Sequence, residues 1–190
     1  VEQMDILPKS WSKKDHNILI FQSSIFEQFT APDFYKQNSL YNCQIEGIKK
    51  IIKHCLNNEP KIKFFLRLHP CFNFWNNKTQ ELDEFLSLEN TFDNLYLIKP
   101  HEKISSYYLM ENADKVLSFR STTAIEAAYK KIPSIVLESW AYEGYNCIYK
   151  PSSHNEVIEL ITNTSLRPKK NKDCLKFGYL QMSYGHIPKY

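Results

Sequence analysis

Glycine is scarce in this chain. There are four in 190 residues, and none falls in a G-x-G-x-x-G or G-x-x-x-x-G-K-[ST] pattern, so the glycine-built phosphate loops are excluded. No His-Glu-x-x-His and no Asp-x-Asp pair occurs, which leaves no local motif for a metal, and neither a metal nor a cofactor is expected. The five cysteines (Cys43, Cys55, Cys71, Cys147, Cys174) are odd in number and contain no C-x-x-C, so neither a zinc site nor a disulfide framework is indicated. No apolar run approaches the ~18 residues that span a bilayer. No apolar leader follows the opening Val-Glu-Gln-Met-Asp, so a reducing cytoplasm is the expected setting. Charge of one sign is lacking too: 24 basic against 21 acidic residues give +3, spread over the length, and no nucleic-acid partner is expected.

What is present is enough apolar surface to fold. Hydrophobic residues make up 43% and aromatics 14% of the chain, which suits one domain of good size. Residues 1–15 are polar and mixed and read as a linker or the end of a missing N-terminal domain. Residues 16–165 read as the folded domain and 166–190 as a C-terminal extension, in which Arg167 to Lys176 is a basic, solvated stretch.

Apolar runs give strands over Asn17–Phe21, Ile62–Leu68, Leu95–Ile98, Lys115–Ser118 and Ser134–Leu137, with Cys147–Tyr149 as a sixth. Helical spacing gives helices over Leu40–Leu56 (closed by Pro60), Thr79–Leu88, Ile104–Glu111, Thr123–Lys131 and Asn155–Thr162, the last capped by Ser153 or His154. Ile25–Asn38 reads as a loop. Strands alternating with helices predict an α/β fold: a Rossmann-like parallel sheet with helices on both faces.

Ligands of such sheets bind beyond the carboxyl ends of the strands. The residues there are Gln22, Ser23 and Ser24; Arg67, His69 and Pro70; Pro100, His101 and Glu102; Ser118, Arg120 and Ser121; and Glu138. Ser121, Thr122 and Thr123 form a hydroxyl-rich turn between strand and helix, a place that suits phosphate, with Arg120 beside it. Thr123-Ala124-Ile125-Glu126 also matches a capping box, so Glu126 either caps the helix or accepts from ribose hydroxyls. Alternation sends Arg67 and His69 to one face of a buried strand, where a charged group needs a partner. An anionic phosphate would serve both, with His69 as donor or acid/base; a nearby carboxylate would serve Arg67 equally. His101-Glu102 reads as a cap or plain loop. Tyr142-Glu143-Gly144-Tyr145 is a turn whose Glu143 either meets a sugar or lies on the surface.

The order strand–Arg-x-His-Pro, then strand–Ser-x-x-Ser-Thr-Thr-x-x-Glu-Ala followed by Pro-Ser-Ile, resembles the C-terminal, nucleotide-binding domain of GT-B glycosyltransferases. The resemblance is to the bacterial capsule and lipopolysaccharide biosynthesis, Kdo-transferase-like, group. Phe177-Gly178-Tyr179-Leu180-Gln181 with Tyr184-Gly185 is similar to the closing segment of such proteins. UDP-N-acetylglucosamine 2-epimerases share the arrangement, with a Ser-Gly-Gly-x-x-Glu-Glu-Ala segment on diphosphate and ribose. The resemblance implies phosphate contacts for Ser121 and Thr122, a ribose contact for Glu126 and a sugar contact for Glu143, with Arg67, His69 and Arg120 offsetting the leaving-group charge. Taken with the strand-end topology, Ser23, Ser24, Ser118 and Thr123 are further phosphate candidates, Glu138 a sugar candidate and His69 the catalytic candidate. Ser-Thr-Thr stands here where the epimerases have paired glycines, and Ile132 where a glycine precedes the proline.

Further implications are a nucleotide sugar (CMP-Kdo foremost), a saccharide acceptor, a missing N-terminal acceptor domain, no metal, and peripheral association with the inner face of the cytoplasmic membrane. Competing readings are an epimerase-like enzyme, a non-catalytic module that kept the fold, and plain core chemistry in which every motif residue is a cap or buried pair.

Overall fold

The computed structural model describes residues 3–23, 39–59, 61–73, 80–138 and 140–183. Ser24, Pro60, Thr79, the loop expected over Ile25–Asn38 and the Tyr184-Gly185 pair lie outside these residues. Five strands form one sheet: β1 (His16–Phe21), β2 (Ile62–Arg67), β3 (Leu95–Ile98), β4 (Lys115–Ser118) and β5 (Ser134–Val136). Every pairing is parallel and the order is β3-β2-β1-β4-β5, as expected of a Rossmann-like sheet. Among the described residues the α-helices are α1 (Gln44–Asn58), α2 (Gln80–Leu86), α3 (Ser106–Asn112), α4 (Thr123–Tyr129), α5 (His154–Thr162) and α6 (Lys172–Ser183).

The strands are apolar on both faces because helices cover both. Ile18 and Ile20 join Phe64, Leu66, Leu117 and Ile135 in a core shared with α1 and α5. Their neighbours Leu19 and Phe21 point the other way, to Phe65, Ile98, Val116 and the α3 residues Leu109 and Met110. A third cluster seats Cys174 and Phe177 of α6 on Ala124, Ile125 and Ala128 of α4, with Tyr142.

Several boundaries move for identifiable reasons. The helix expected from Leu40 begins at Gln44, because Tyr41 folds back over it; a side chain at Gly47 would meet the Tyr41 ring at 2.7 Å. The helix expected to reach Lys131 ends at Tyr129, where Lys131 turns left-handed (φ 62°). Ser105 and Ser153 are true N-caps, accepting from the Tyr108 and Glu156 amides at 3.3 and 3.2 Å. The sixth strand reduces to a single bridge, Ile135 with Tyr149. The basic stretch from Arg167 is not a solvated tail throughout: from Lys172 it becomes α6, held by the buried Cys174 and Phe177. At the other end of the chain, Met4 bridges to Ile104, and the Trp11 ring lies 4.3 Å from that of Phe65.

Candidate functional site

The order of the strands reverses between β1, which leads on to β2, and β4, which leads on to β5. At this switch point the chain leaves the carboxyl ends of two adjacent strands in opposite directions, and a crevice opens between the departing loops. A cleft of ≈ 370 Å³ lies there. Among its lining residues are Gln22, Arg67, His69, Pro70, Arg120, Ser121, Thr122, Thr123 and Glu126, so nine of the residues singled out from sequence converge.

Arg67 ends β2 and is only 3% exposed. Its partners are not carboxylates. Nη1 and Nη2 donate to the Lys99 and Glu102 carbonyls at 2.8 and 3.2 Å, and Nε has no partner. Burial lowers its pKa, opposed by the nearby charge of Glu102. The Glu102 carboxylate is itself turned back onto the Lys99 amide (2.6 Å), so the His101-Glu102 segment is the loop that clasps Arg67. A guanidinium fixed through two carbonyls keeps its full charge, since carbonyls orient it without neutralising it. His69 accepts the Cys71 amide at Nδ1 (3.1 Å), so the neutral ring carries its proton on Nε2.

The β4–α4 turn is braced from behind. Ser118 Oγ and the Tyr142 hydroxyl both donate to the Ser121 carbonyl, at 3.2 and 2.8 Å. Arg120, immediately before it, is left-handed at φ 54°, a conformation unfavourable for a residue with a Cβ. Its Nε lies 3.1 Å from Glu138 Oε2, and both side chains are buried. Burial raises the Glu138 pKa and the Arg120 charge opposes that rise.

The capping box is not formed. Glu126 accepts from the Thr122 hydroxyl (3.2 Å) and its charge lies beside the Tyr107 phenol, while Thr123 Oγ1 bonds Ser121 Oγ at 2.9 Å. The Glu126 charge raises the Tyr107 pKa.

Four expected residues do not line the cleft. Ser23 is fully buried against Gln44, Ser118 lies behind the turn, and Glu138 is the counter-ion of Arg120. Glu143 sits on the surface turn and pairs with Lys150. The strand-end expectation for Gln22 is met, since it lines the cleft, whereas Tyr107 and Trp140 line it without having been singled out from sequence. Trp140 lies two residues beyond Glu138 at the end of β5 and was within reach of the strand-end argument. Tyr107 was not, because α3 reaches the cleft only through its tertiary packing.

Neither a protein-family model nor a curated protein sequence matches the chain. Solved structures do. KpsC of Thermosulfurimonas dismutans, a β-Kdo 2,4-transferase, superposes with TM-score 0.55 at 11% identity, over 84% of this chain and 46% of that one. The S. aureus MnaA–UDP co-structure gives 0.54 at 13% identity, over 98% and 52%. The Methanocaldococcus jannaschii UDP-GlcNAc 2-epimerase in complex with UDP-GlcNAc and UDP gives 0.52 at 18%, over 90% and 46%. The fold is one half of a GT-B architecture. The chain spans about half the length of these structures. Among the described residues no helix is long and apolar enough to cross a membrane, and no group of three His, Cys, Asp or Glu stands together to hold a metal.

Proposed function

We propose that this chain is the donor-binding half of a glycosyltransferase, taking a sugar from a nucleotide sugar and passing it to a growing bacterial surface polysaccharide of the capsule or lipopolysaccharide kind. CMP-Kdo is the foremost donor. The observation that carries the reading is Arg67: a buried cation without a carboxylate partner, at the switch-point cleft of a fold shared with nucleotide-sugar enzymes. The leaving phosphate lies between Arg67 and the Ser121–Thr123 turn. His69, as the catalytic residue, donates from Nε2 to the oxygen that gains charge as the glycosidic bond breaks. Glu126 accepts from ribose or sugar hydroxyls. Among the described residues Glu126 is the one carboxylate lining the cleft, and in this reading Arg67 and His69 offset the phosphate charge with no metal required. A second, N-terminal Rossmann half supplies the acceptor, and the assembly works in the cytoplasm at the inner face of the membrane.

Calorimetric titration with CMP, UDP, GDP and CDP tests this. One of them binds the folded chain, and His69→Ala or Ser121→Ala weakens it by about 1–2 kcal/mol, the worth of a hydrogen bond to a charged group. If none binds while the melt shows a folded protein, the reading fails.

Glu126 with Tyr107 at its side favours a second reading, a sugar-nucleotide epimerase, which needs acid/base groups inside the cleft. Incubation with UDP-GlcNAc separates the two: an epimerised product identifies the second, and binding without turnover the first.

A further inference from the structure

The cleft contains a side chain that nothing above uses. Gln22 follows β1 directly, one residue beyond Phe21, whose register partner across the sheet is Arg67. It is 2% exposed and lines the cleft, yet neither its Nε2 nor its Oε1 has a partner. Burying both ends of a carboxamide unpaired is costly, and such groups mark places where something else completes them. The neighbouring amide shows the contrast. Gln44 is equally buried, but its Oε1 accepts the Ser23 amide (3.1 Å) and its Nε2 donates to Ser23 Oγ and the Ser23 carbonyl (2.9 and 3.2 Å). Arg67 Nε, at the same cleft, is the second buried donor without an acceptor.

We infer that Gln22 is a specificity-determining residue that holds a sugar hydroxyl of the bound donor, beside the phosphate taken by Arg67; the inference rests on the nucleotide-sugar reading. A carboxamide offers a donor and an acceptor side by side. A hydroxyl accepts from Nε2 and donates to Oε1, so it satisfies both ends. A phosphate oxygen satisfies only Nε2 and sets its negative charge against Oε1, and an apolar group satisfies neither. Arg67 Nε, a cationic donor that cannot accept, takes the anion instead. Because β1 lies between β2 and β4, the phosphate spans from Arg67 across the end of β1 to the Ser121 turn, and the sugar hydroxyl meets Gln22 beneath that span.

The test is Gln22→Met, which keeps the length and removes both polar atoms. Two measurements are made: the thermal melt without ligand, and calorimetric titration with UDP and UDP-GlcNAc, GDP and GDP-mannose, CMP and CMP-N-acetylneuraminate. The melt rises by about 2–4 °C, because an unpaired amide has been replaced by an apolar chain. In the pair that binds, the sugar-bearing form holds an advantage over its own nucleotide of about tenfold, and Gln22→Met abolishes it while leaving the bare nucleotide's affinity unchanged. A melt lowered by the substitution overturns the assignment, since Gln22 then has a structural partner. So does a nucleotide that binds with no sugar advantage, or with one that Gln22→Met leaves intact. If no nucleotide binds the folded wild-type chain, the nucleotide-sugar reading itself falls and takes the assignment with it.

Discussion

The two edges of this sheet treat buried polar groups differently. At the edge where the strands begin, Lys115 is 1% exposed and its ammonium donates to the carbonyls of Leu160, Ile161 and Asn163, at the end of α5. All three of its donors are used, and the cation sits where the helix dipole is negative. At the edge where the strands finish, Arg67 is also buried but uses only two of its five N–H groups, and its buried Nε has no acceptor. The amides repeat the pattern in weaker form. Asn17 and Asn94, at the starting edge, each give their Nδ2 to a backbone carbonyl and leave only an oxygen unpaired, whereas Gln22 at the finishing edge leaves both ends. A buried group that the protein fully satisfies reads as structure; one left part-satisfied in a cleft reads as waiting for a ligand.

The comparison breaks first at Lys115. Lys115→Met leaves three carbonyls at the end of α5 without their donor, so it costs about 2–3 kcal/mol in urea unfolding, with nucleotide affinity of the folded protein unchanged. Burial pushes the Lys115 pKa down to about 8, from 10.5 in an unfolded chain. The native state therefore sheds this proton first, and binds fewer protons than the unfolded state across that window. The stability of wild type relative to Lys115→Met accordingly rises with pH between about 8 and 10.5. A flat difference over that window means that the ammonium keeps its proton in its carbonyl cage.

Arg67 gives the opposite split. Arg67→Lys keeps the charge but a single ammonium cannot span the Lys99 and Glu102 carbonyls and still face the cleft. Affinity for the nucleotide that wild type binds falls by about 1.5–3 kcal/mol, while the unfolding free energy moves by less than about 1 kcal/mol. If stability collapses and binding survives, Arg67 is a second Lys115, and the cleft has lost its anion site.

How much of this was legible follows the same division. The strands were, because apolar runs bounded by turn residues need no tertiary information; β4 was read as Lys115–Ser118, the span it has. Alternation placed Arg67 and His69 on one face, and both line the cleft. The clasp on Arg67 was not legible, since it depends on how the loop after β3 folds back. Gln22 was legible as a strand-end residue facing the expected ligand region, but a lone glutamine forms no motif, and its role shows only through the partners it lacks. Composition misled at the C-terminus: the charges before Cys174 suggested solvent, but two apolar residues three apart were enough to dock α6 onto α4. Glu143 was assigned by resemblance to a Glu-Gly turn, and a local lysine claims it instead.

The smallest effect tests the same contrast in the backbone. Among the described residues two that are not glycine adopt left-handed conformations, Lys131 at φ 62° and Arg120 at φ 54°. Lys131 is exposed and closes α4, its amide bonding to the Ala128 carbonyl and the next amide to Ala127. Glycine is the preferred residue at such a helix end, so Lys131→Gly stabilises the chain by about 0.5–1 kcal/mol, less whatever entropy glycine adds to the unfolded state. Arg120→Gly relieves the same strain but strips Glu138 of its counter-ion, leaving a buried carboxylate alone, so it destabilises on balance. Opposite signs from the same backbone change, read in parallel melts, show that the strain at Arg120 is held in place by the ion pair behind the cleft. Equal and favourable signs show instead that Glu138 does not need Arg120, and that the turn at the switch point relaxes without it.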